Sequence, residues 1–487
     1  MKTIDLPPYA PTLMESTRAI GYSLEAAIAD IIDNCITASA TRIDIDFFPE
    51  EEAYISVLDN GSGMTRAEIC AAMQYGSKNP NEERDVNDLG RYGLGLKTAS
   101  LSQCRVLSVL SNRNGKMNGC RWDLDYVQNT GKWSLLVLDK QDMENLPEYE
   151  KLKKIKNGTL VIWQRLDRLS MGDINFAQSL SLKMNKVREH IALVFHRYLS
   201  GEPGLRKIEF FINNKKVIGI DPFLSKKSTQ LFDDEVITVR GQQIIVRPYI
   251  LPHISKMSDE EIKRLGGKDG LRKQQGFYVY RNKRLLIWGT WFRLMRQGDL
   301  SKLARVQIDI PNSLDDLWTL DIKKSTAIPP EEVKKNLSNV IEKISDGSRR
   351  TYVYRGKKET NDKIVHFWNR IKTRDGGIIY EVNREHPIIN SIIEKSPECK
   401  NELYTLLSQI EGNIPLNALY VDLSNDEKFA NEATISERDT VDMLKTLLAT
   451  CVDHNAKSTL LNQLKFAEPF CLYFDVIENS ITNGELI

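Results

Sequence analysis

Hydrophobic positions along the first third of the chain follow two patterns, one with helical spacing and one with strand spacing. In residues 16–38 the apolar side chains recur every three or four positions, which predicts an amphipathic helix. Short runs in which apolar and polar residues alternate predict strands at 41–47, 53–58, 104–110, 120–125, 133–138 and 159–163. A helix followed by this set of strands predicts an α/β sandwich over residues 1–168.

A second group of elements follows residue 168. Helical spacing predicts helices over 175–200 and at about 330–345. Alternating or apolar runs predict strands at 208–213, 235–239, 244–250, 276–282 and 304–310. We therefore predict a mixed α/β domain over residues 169–345. The segment SDGSRR (345–350) resembles a linker, and residues 346–487 are predicted to be a mainly helical, acidic region.

Composition narrows the class of protein. The 487 residues are 41% hydrophobic and 27% charged, which excludes a collagen-like or wholly disordered chain. No apolar run approaches the roughly 18 residues that a membrane span needs, and the N-terminus lacks the features of a secretory signal. The seven cysteines are scattered and form no CxxC motif. We expect a cytoplasmic protein with reduced thiols, without a zinc site, a disulfide framework or a membrane partner.

Charge is distributed unevenly along a chain whose net charge is +1. From Cys399 to the end there are 14 acidic and 6 basic residues. Residues 263–284 hold eight Lys and Arg against one Asp. A local basic surface favours phosphate-rich partners, so this stretch is a candidate DNA-binding segment. The alternative is a solvated, lysine-rich face.

The first candidate for chemistry is a polar stripe on the helix predicted over 16–38. On a helical wheel Asp30, Asp33, Asn34 and Thr37 fall within about a 100° arc, away from the apolar stripe. Asp30 and Asn34 lie one turn apart and can reach one bound ligand. A carboxylate can deprotonate a water molecule, and an amide oxygen is a hard ligand suited to Mg²⁺. The alternative is an ordinary amphipathic helix with a solvated face.

The second candidate is a strand that ends in Asp-x-Gly-x-Gly. The predicted strand at 53–58 runs directly into Asp59, Gly61, Gly63 and Met64. A carboxylate at the end of a strand can accept a hydrogen bond from an exocyclic amine such as that of adenine. Because glycine has no side chain, a flat ring can approach the backbone there. The alternative is a plain glycine-rich turn.

The third candidate is a glycine-rich loop at the end of a charged stretch, residues 74–98. It reads Gly90-Arg-Tyr-Gly93-Leu-Gly95-Leu-Lys97-Thr98 and opens an apparent helix. Backbone N–H groups at a helix start bind anions. The run departs from the P-loop, because leucine stands where lysine is required, and its GxxGxG order departs from the dinucleotide motif. The alternative is a flexible surface loop.

Together the three motifs, followed by Gly158-Thr159 at the start of a strand, resemble the GHKL ATPases. This superfamily includes gyrase B subunits, heat-shock chaperones, MutL and MORC proteins and sensor histidine kinases. The resemblance covers about residues 16–165 and is closest to MORC- and MutL-like bacterial proteins. It implies that the sandwich binds ATP with Mg²⁺ and hydrolyses the nucleotide.

The resemblance also implies a role for each matching residue. Asp30 would be the base that activates water, Asn34 would bind Mg²⁺, and Asp59 would read adenine with help from the Thr159 hydroxyl. Gly90, Gly93 and Gly95 would form the lid that wraps the phosphates, with Lys97 as a phosphate contact. Residues assigned to the nucleotide site as a whole are Asp33, Asn34, Asp59, Gly61, Gly63, Met64, Gly90, Gly93, Leu94, Gly95, Leu96, Lys97, Thr98 and Thr159.

Two residues depart from the pattern of the resembled group. Asp30 stands where that group usually has glutamate, so the carboxylate is one methylene shorter, and Thr37 replaces a common acidic residue. We therefore expect slow, Mg²⁺-dependent hydrolysis. The resemblance further implies a transducer domain after the ATPase domain, with Lys323 or Lys324 as the lysine that reaches the γ-phosphate. The alternative for this pair is two exposed lysines after a strand.

The resemblance leaves three functional hypotheses open. The first is a homodimeric, ATP-gated clamp in DNA transactions or anti-phage defence, with an effector such as a nuclease encoded nearby. The N-terminal arm would be a strap exchanged between subunits, or a disordered tail. The second is a chaperone-like ATPase that acts on protein clients. The third is an ATP-sensing scaffold without hydrolysis, whose acidic C-terminal region recruits an effector.

Overall fold

The structure is a computed structural model of the chain. It describes residues 3–4, 6, 8–19, 21–76, 95–230, 234–267, 270–298, 301–315, 317–318, 329–341, 364–372, 378–416, 419, 437–449, 454–474, 477–478 and 481. The chain divides into two compact units, Met1–Val353 and Tyr354–Ile487.

The first unit begins with the elements of the predicted sandwich. Its helices are α1 (Ala10–Arg18), α2 (Leu24–Thr37), α3 (Arg66–Met73), α4 (Gly95–Leu101), α5 (Leu124–Thr130), α6 (Lys140–Glu144), α7 (Tyr149–Lys153), α8 (Asp167–Ser170), α9 (Phe176–Val194) and α10 (His196–Ser200). Its strands are β1 (Arg42–Phe48), β2 (Tyr54–Asp59), β3 (Val106–Arg113), β4 (Lys116–Asp123), β5 (Leu136–Leu138), β6 (Asn157–Gln164), β7 (Glu209–Ile212) and β8 (Lys215–Lys216).

These strands form one eight-stranded sheet in the order β5-β4-β3-β6-β2-β1-β7-β8. Strand β1 pairs in parallel with β7, and the other neighbours are antiparallel. We predict from the sequence that residues 208–213 belong to the second domain, with the boundary at residue 168. In the structure β7, which lies in this stretch, pairs with β1 and joins the first sheet. The two strands are more than 150 residues apart, and the pairing has no local sequence signal.

Both faces of the sheet are covered by apolar side chains. The larger core contains the buried face of α2, with Ala27, Ile28, Ile31 and Ile32 all at most 1% exposed. A smaller core on other strand positions includes Leu58, Leu110 and Leu160 together with residues of α6 and α7. Burial of this apolar surface is the main favourable term in holding α2 against the sheet.

Two predicted elements differ in extent from the structure, since one helix is divided and one strand is shorter, and each difference has a local cause. The helix predicted over 16–38 is divided into α1 and α2, because Gly21 takes a φ of +76° and Ser23 caps the new helix. The strand predicted over 120–125 stops at Asp123. The Asp123 carboxylate accepts from the N–H groups of Asp125 and Tyr126, which starts α5.

A second sheet follows. It contains β9 (Thr229–Gln230), β10 (Glu235–Val239), β11 (Gln242–Ile250), β12 (Gly276–Arg281), β13 (Arg284–Thr290) and β14 (Ala304–Ile310), in the order β10-β11-β14-β12-β13 with β9 beside β11. The turns β3–β4, β10–β11 and β12–β13 each have two residues with positive φ, as in type I′ hairpins. The helices α11 (Asp259–Gly266), α12 (Gly270–Lys273) and 331–341 accompany this sheet.

The second unit is largely helical among its described residues. Its helices are Pro387–Lys395, Lys400–Gly412, Glu437–Ala449 and His454–Leu464. It also contains an antiparallel strand pair, Trp368–Lys372 with Ile378–Val382, that the sequence analysis did not predict. The predicted fold class is confirmed: an α/β sandwich, a second mixed sheet domain and a helical C-terminal part. Among the helices that the structure describes, none has the length and apolar content to cross a bilayer.

Candidate functional site

Strand register brings two residues assigned to the nucleotide site side by side. Asp59 is the last residue of β2, and its Cα partner on β6 is Thr159. Both residues are largely buried, at 4% and 8% exposure. The two motifs lie 100 positions apart in the chain, and the antiparallel pairing of β2 with β6 places them together.

The Asp59 carboxylate lies in an apolar setting that still supplies hydrogen-bond donors. Its Oδ1 atom accepts from the Gly61 N–H at 2.7 Å. The thiol of Cys35, on α2, and the N–H of Thr159 are further donors. Burial raises the pKa of Asp59 to about 6, against the lowering effect of these donors. The group is therefore ionised near neutral pH and can accept a hydrogen bond from a ligand amine.

Packing within the protein itself requires the two glycines of this motif. A methyl group at Gly61 would lie 2.7 Å from the Ala38 carbonyl oxygen. Gly63 has a φ of +67°, and a methyl group there would lie 2.1 Å from the Asn112 carbonyl oxygen. We had expected these glycines to admit a flat ring. The structure adds that they also let the turn after β2 close against α2 and β3.

Ser111, on β3, links three parts of the candidate site. Its hydroxyl donates to the Gly158 carbonyl at 2.8 Å and accepts from the Met64 N–H at 2.8 Å. The Thr159 hydroxyl lies 3.1 Å from the same oxygen. Since a serine hydroxyl has one proton, which the Gly158 carbonyl accepts, the Thr159 hydroxyl donates to Ser111. The lone pairs of Thr159 then remain to accept from a ligand.

Asp30 is buried, at 5% exposure, between an aromatic hydroxyl and the start of α4. The Tyr22 hydroxyl donates to its Oδ2 atom at 3.2 Å. A methyl group at Gly95 would lie 3.5 Å from that same oxygen. Tyr22 is held in turn by Gln103, whose side-chain amide donates to the Tyr22 carbonyl at 3.0 Å. The candidate base thus has a fixed orientation beside the end of the glycine-rich motif.

The polar stripe predicted on α2 is divided by burial. Asn34 and Thr37 are exposed, as a metal ligand and its neighbour would need to be. Asp33 is 1% exposed, and Nε of Arg284, on β13, donates to its Oδ1 atom at 3.0 Å. Asp33 therefore forms a buried ion pair with the second sheet, which places this carboxylate in the contact between the two sheets of the first unit.

Lys97 lies deeper than a phosphate contact on an open loop would. Its side chain is 1% exposed, and the ammonium group donates to the Ala72 carbonyl, in the last turn of α3, at 2.8 Å. Burial lowers the pKa of Lys97 to about 8, so the group is still mostly protonated at neutral pH. The structure thus couples Lys97 to α3.

The remaining predicted site residues divide into two sets. Met64 and Leu96 are partly buried and pack against the main core, and Thr98 is buried in α4. Five others lie outside the described residues: Gly90, Gly93, Leu94, Lys323 and Lys324. Their assignments remain predictions.

Sequence reasoning missed three residues of the site. Tyr22 precedes the helix cap by one position, and this adjacency was a usable signal. Ser111 is one of two buried serines in β3, the other being Ser108, so local sequence did not single it out. Arg284 is 251 positions from Asp33 and stands in a basic stretch, so local sequence gave no indication of the pair.

Comparisons with known proteins show a likeness for the N-terminal part of the chain. Residues 22–159 match the model of the "Histidine kinase-, DNA gyrase B-, and HSP90-like ATPase" family. The mouse protein "ATPase MORC2B" is 38% identical over 99 residues, which cover 20% of this chain and 10% of that protein. The "DNA mismatch repair protein MutL" of Thermosipho melanesiensis is 28% identical over 95 residues, which cover 19% of this chain and 17% of that protein.

The chain therefore carries a GHKL-type ATPase domain with distant MORC and MutL homologues. The matched stretch spans less than a fifth of the length of either of these two relatives. A solved structure, "Crystal Structure of N terminal domain of a DNA repair protein", aligns over 70% of this chain and 99% of its own, with a TM-score of 0.45 and 17% identity.

The buried ion pair gives a first testable prediction. We expect Asp33→Asn or Arg284→Met alone to lower the free energy of unfolding by about 3–5 kcal/mol, because each leaves a buried group without its partner. The double variant should lose markedly less free energy of unfolding than the two single variants together, since it leaves neither charge uncompensated. Urea unfolding of the two single variants and the double variant measures the coupling.

An exposed pair provides the control. Lys140 and Glu144, at 3.8 Å on α6, are 83% and 42% exposed. Glu144→Gln should change stability by no more than about 1 kcal/mol. If the effects of the Asp33 and Arg284 substitutions on the free energy of unfolding are additive and as small as that of Glu144→Gln, the buried ion pair does not stabilise the fold.

Ser111 gives a second prediction. Ser111→Ala removes one acceptor and one donor, and we expect a loss of about 2–3 kcal/mol of stability together with weaker nucleotide binding. Ser108→Ala is the matched control, because Ser108 is buried on the same strand but accepts from Arg121. Unfolding curves and a fluorescent-nucleotide titration should separate the two variants. Equal nucleotide affinities in both would remove Ser111 from the site.

Proposed function

We propose that this protein binds ATP with Mg²⁺ in its GHKL-type domain and hydrolyses it slowly, as a nucleotide-gated dimeric clamp. The observation that carries the proposal is the cluster at the end of β2. There a buried, ionised carboxylate, Asp59, adjoins an accepting hydroxyl, Thr159, and both are joined through hydrogen bonds to the turn that holds Gly61 and Gly63. Both the aspartate and the hydroxyl can accept a hydrogen bond from the exocyclic amine of adenine.

Helix α2 supports the same proposal. The Cys35 thiol contacts Asp59, and Asp30 lies five residues earlier, about 7.5 Å along the helix axis. Asn34 lies between them in sequence with an exposed amide oxygen, which suits Mg²⁺. Helix α2 thus carries a contact to the adenine-reading Asp59, a candidate metal ligand and the candidate general base.

Asp30 is suited to accept a proton from water. The Tyr22 hydroxyl donates to Oδ2 and so fixes the orientation of the carboxylate. A fixed orientation helps a side chain that is one methylene shorter than glutamate to meet the water molecule. Gly95, at the start of α4, places the end of the glycine-rich motif against this carboxylate. If the nucleotide orders that motif, the surroundings of the Asp30 carboxylate change with it. Binding of the nucleotide is thereby coupled to the candidate base.

Side-chain contacts join the elements around the first sheet to the second sheet. They support the proposal that the second domain of the clamp responds to the nucleotide. Arg284 reaches Asp33 on α2, and His196 hydrogen-bonds the Tyr280 hydroxyl at 2.7 Å. Arg197 forms a further buried ion pair with Asp309, on β14. A movement of α2 changes the Asp33–Arg284 contact, so two positions of α2 would differ in the energy of their contact with the second sheet.

The basic stretch 263–284 offers less free positive charge than its sequence indicates. Four of the described cations of this stretch are in ion pairs, namely Arg264–Glu260, Arg281–Asp315, Lys283–Asp309 and Arg284–Asp33. Lys263, Arg272 and Lys273 are exposed on α11 and α12, and these are the described residues that we propose for contact with DNA phosphates.

Apolar side chains near the N-terminus support a dimer. Ile4, Leu6 and Tyr9 are 80%, 83% and 60% exposed. The indole N–H of Trp133 donates to the Pro8 carbonyl at 3.0 Å, which fixes the base of this arm on its own chain. We propose that a second copy covers the exposed part when ATP is bound. We further propose that the clamp acts with an effector in anti-phage defence. The support for this part of the proposal is the likeness to MORC and MutL proteins.

The decisive experiment is ATP turnover of the wild type and of Asp30→Asn, each with and without DNA. We expect turnover to fall by about 10²–10⁴-fold in the variant while nucleotide binding persists, because general-base catalysis is lost and the base-side contacts remain. Stimulation of the wild type by DNA, with an affinity that declines steeply with salt, would support the clamp on DNA.

Glu25→Gln is the matched control, because Glu25 lies in the first turn of α2 and points away from the direction of Asp30. Its turnover should equal that of the wild type. Undiminished turnover in Asp30→Asn would exclude Asp30 as the base. Tight ATP binding without any turnover in the wild type would favour the ATP-sensing scaffold, and suppression of client aggregation without DNA binding would favour a chaperone-like ATPase.

The raised pKa of Asp59 predicts a pH dependence of nucleotide affinity. A ligand amine favours the ionised carboxylate, so binding requires loss of the proton that the free protein holds below pH 6. We expect affinity for ATP to be constant above about pH 7 and to weaken towards tenfold per pH unit well below pH 6. Titration calorimetry between pH 5 and pH 8 measures this slope.

Asp59→Asn removes the titrating group and isolates its contribution from the protonation of the nucleotide itself. The variant should bind ATP more weakly at pH 8 and show a flatter slope than the wild type below pH 6. Parallel slopes in the two proteins would show that Asp59 does not face the nucleotide.

A further inference from the structure

Two cysteine side chains touch on the side of the first sheet that α3 covers. The Sγ atoms of Cys70, on α3, and Cys120, on β4, are 3.7 Å apart. Cys120 is 1% exposed, whereas Cys70 is partly exposed. Neither residue has a role in the proposed nucleotide site. Thiols in this position, one reachable from solvent and one behind it, have the arrangement of a reactive and a resolving cysteine.

The contact is built into the packing of α3. The indole N–H of Trp122, two residues along β4 from Cys120, donates to the Met73 carbonyl at 2.9 Å. At the other end of the helix Thr65 and Glu68 form a capping box, and Glu68 is ion-paired with Arg113, on β3. Both ends of α3 are thus fixed to the β3–β4 hairpin, so Cys70 remains over Cys120.

We propose that Cys70 and Cys120 are a modification site, at which a low-molecular-weight disulfide such as oxidised glutathione converts the two thiols into an intramolecular disulfide. The sulfur atoms must approach from 3.7 Å to about 2 Å for the bond to form. The second part of the proposal, which rests on the proposed function, is that this disulfide lowers ATP turnover.

The reaction balances without a further reagent. The Cys70 thiolate attacks one sulfur of the small disulfide, and one glutathione leaves and takes up a proton. The Cys120 thiolate then attacks the Cys70 sulfur of the mixed disulfide, and the second glutathione leaves. Two protein thiols are oxidised and one small disulfide is reduced to two thiols. Burial and the adjacent Cys70 raise the pKa of Cys120, so the exchange should accelerate as pH rises.

Helix α3 gives the disulfide a route to the nucleotide site. The Ala72 carbonyl, half a turn after Cys70, holds the Lys97 ammonium group. The helix begins directly after Gly63 and Met64, on the base side of the site. A covalent bond from Cys70 to β4 fixes α3, and with it the acceptor that retains Lys97. Lys97 is then less able to turn towards a phosphate.

The test is to incubate the native, full-length protein with oxidised glutathione and then map its cysteines by mass spectrometry without reduction. We expect a linked peptide that contains Cys70 and Cys120, its loss on treatment with dithiothreitol, and its absence from Cys70→Ser. Cys399→Ser is the matched control, because Cys399 is an exposed cysteine in the other unit, and this variant must retain the linked peptide. Glutathione found on Cys70 without the link would overturn the proposal.

Turnover is measured on the same samples. We expect the oxidised wild type to hydrolyse ATP at least about fivefold more slowly than the reduced protein, and Cys70→Ser to be insensitive to glutathione disulfide. A linked protein with unchanged turnover would overturn the second part of the proposal. If the reduced wild type does not hydrolyse ATP, the proposed function fails, whereas the peptide map still decides whether the thiol pair is a modification site.

Discussion

Three buried carboxylates, Asp30, Asp33 and Asp59, lie at the candidate site, and the structure around them is organised by the need to give each a partner. An isolated buried charge is costly, so each requires a donor at short range. Asp59 takes backbone N–H groups of its own turn and of β6, Asp30 takes the Tyr22 hydroxyl, and Asp33 takes Arg284. These partners come from the neighbouring turn, from the segment before α2 and from the second sheet, respectively.

Because two of these carboxylates lie on α2, the helix is tied to more than its own sheet. Its apolar face holds it against the main core, while Asp33 connects it to β13 and Cys35 connects it to Asp59. Such a helix cannot shift without changing polar contacts in low-dielectric surroundings, where those contacts are strongest. This is a physical basis for coupling between the GHKL-type domain and the sheet that follows it.

Helix α3 is a second link, on the opposite side of the turn after β2. It begins at the glycine motif, its last turn holds Lys97, and its middle touches β4 through Cys70. Lys97, which the resemblance assigns to phosphate, is therefore also a helix-anchoring group.

Local sequence determined the elements whose signals lie within a few residues. The strands at 235–239 and 304–310 have the predicted bounds, and the Asp59-x-Gly-x-Gly turn was identified because a strand runs directly into it. Tertiary structure alone decided that β7 joins the first sheet, that Ser111 joins Met64 to Thr159, and that Arg284 neutralises Asp33. Periodicity and turn chemistry act over one or two turns of chain, whereas register and ion pairing are settled by which distant segments are buried together.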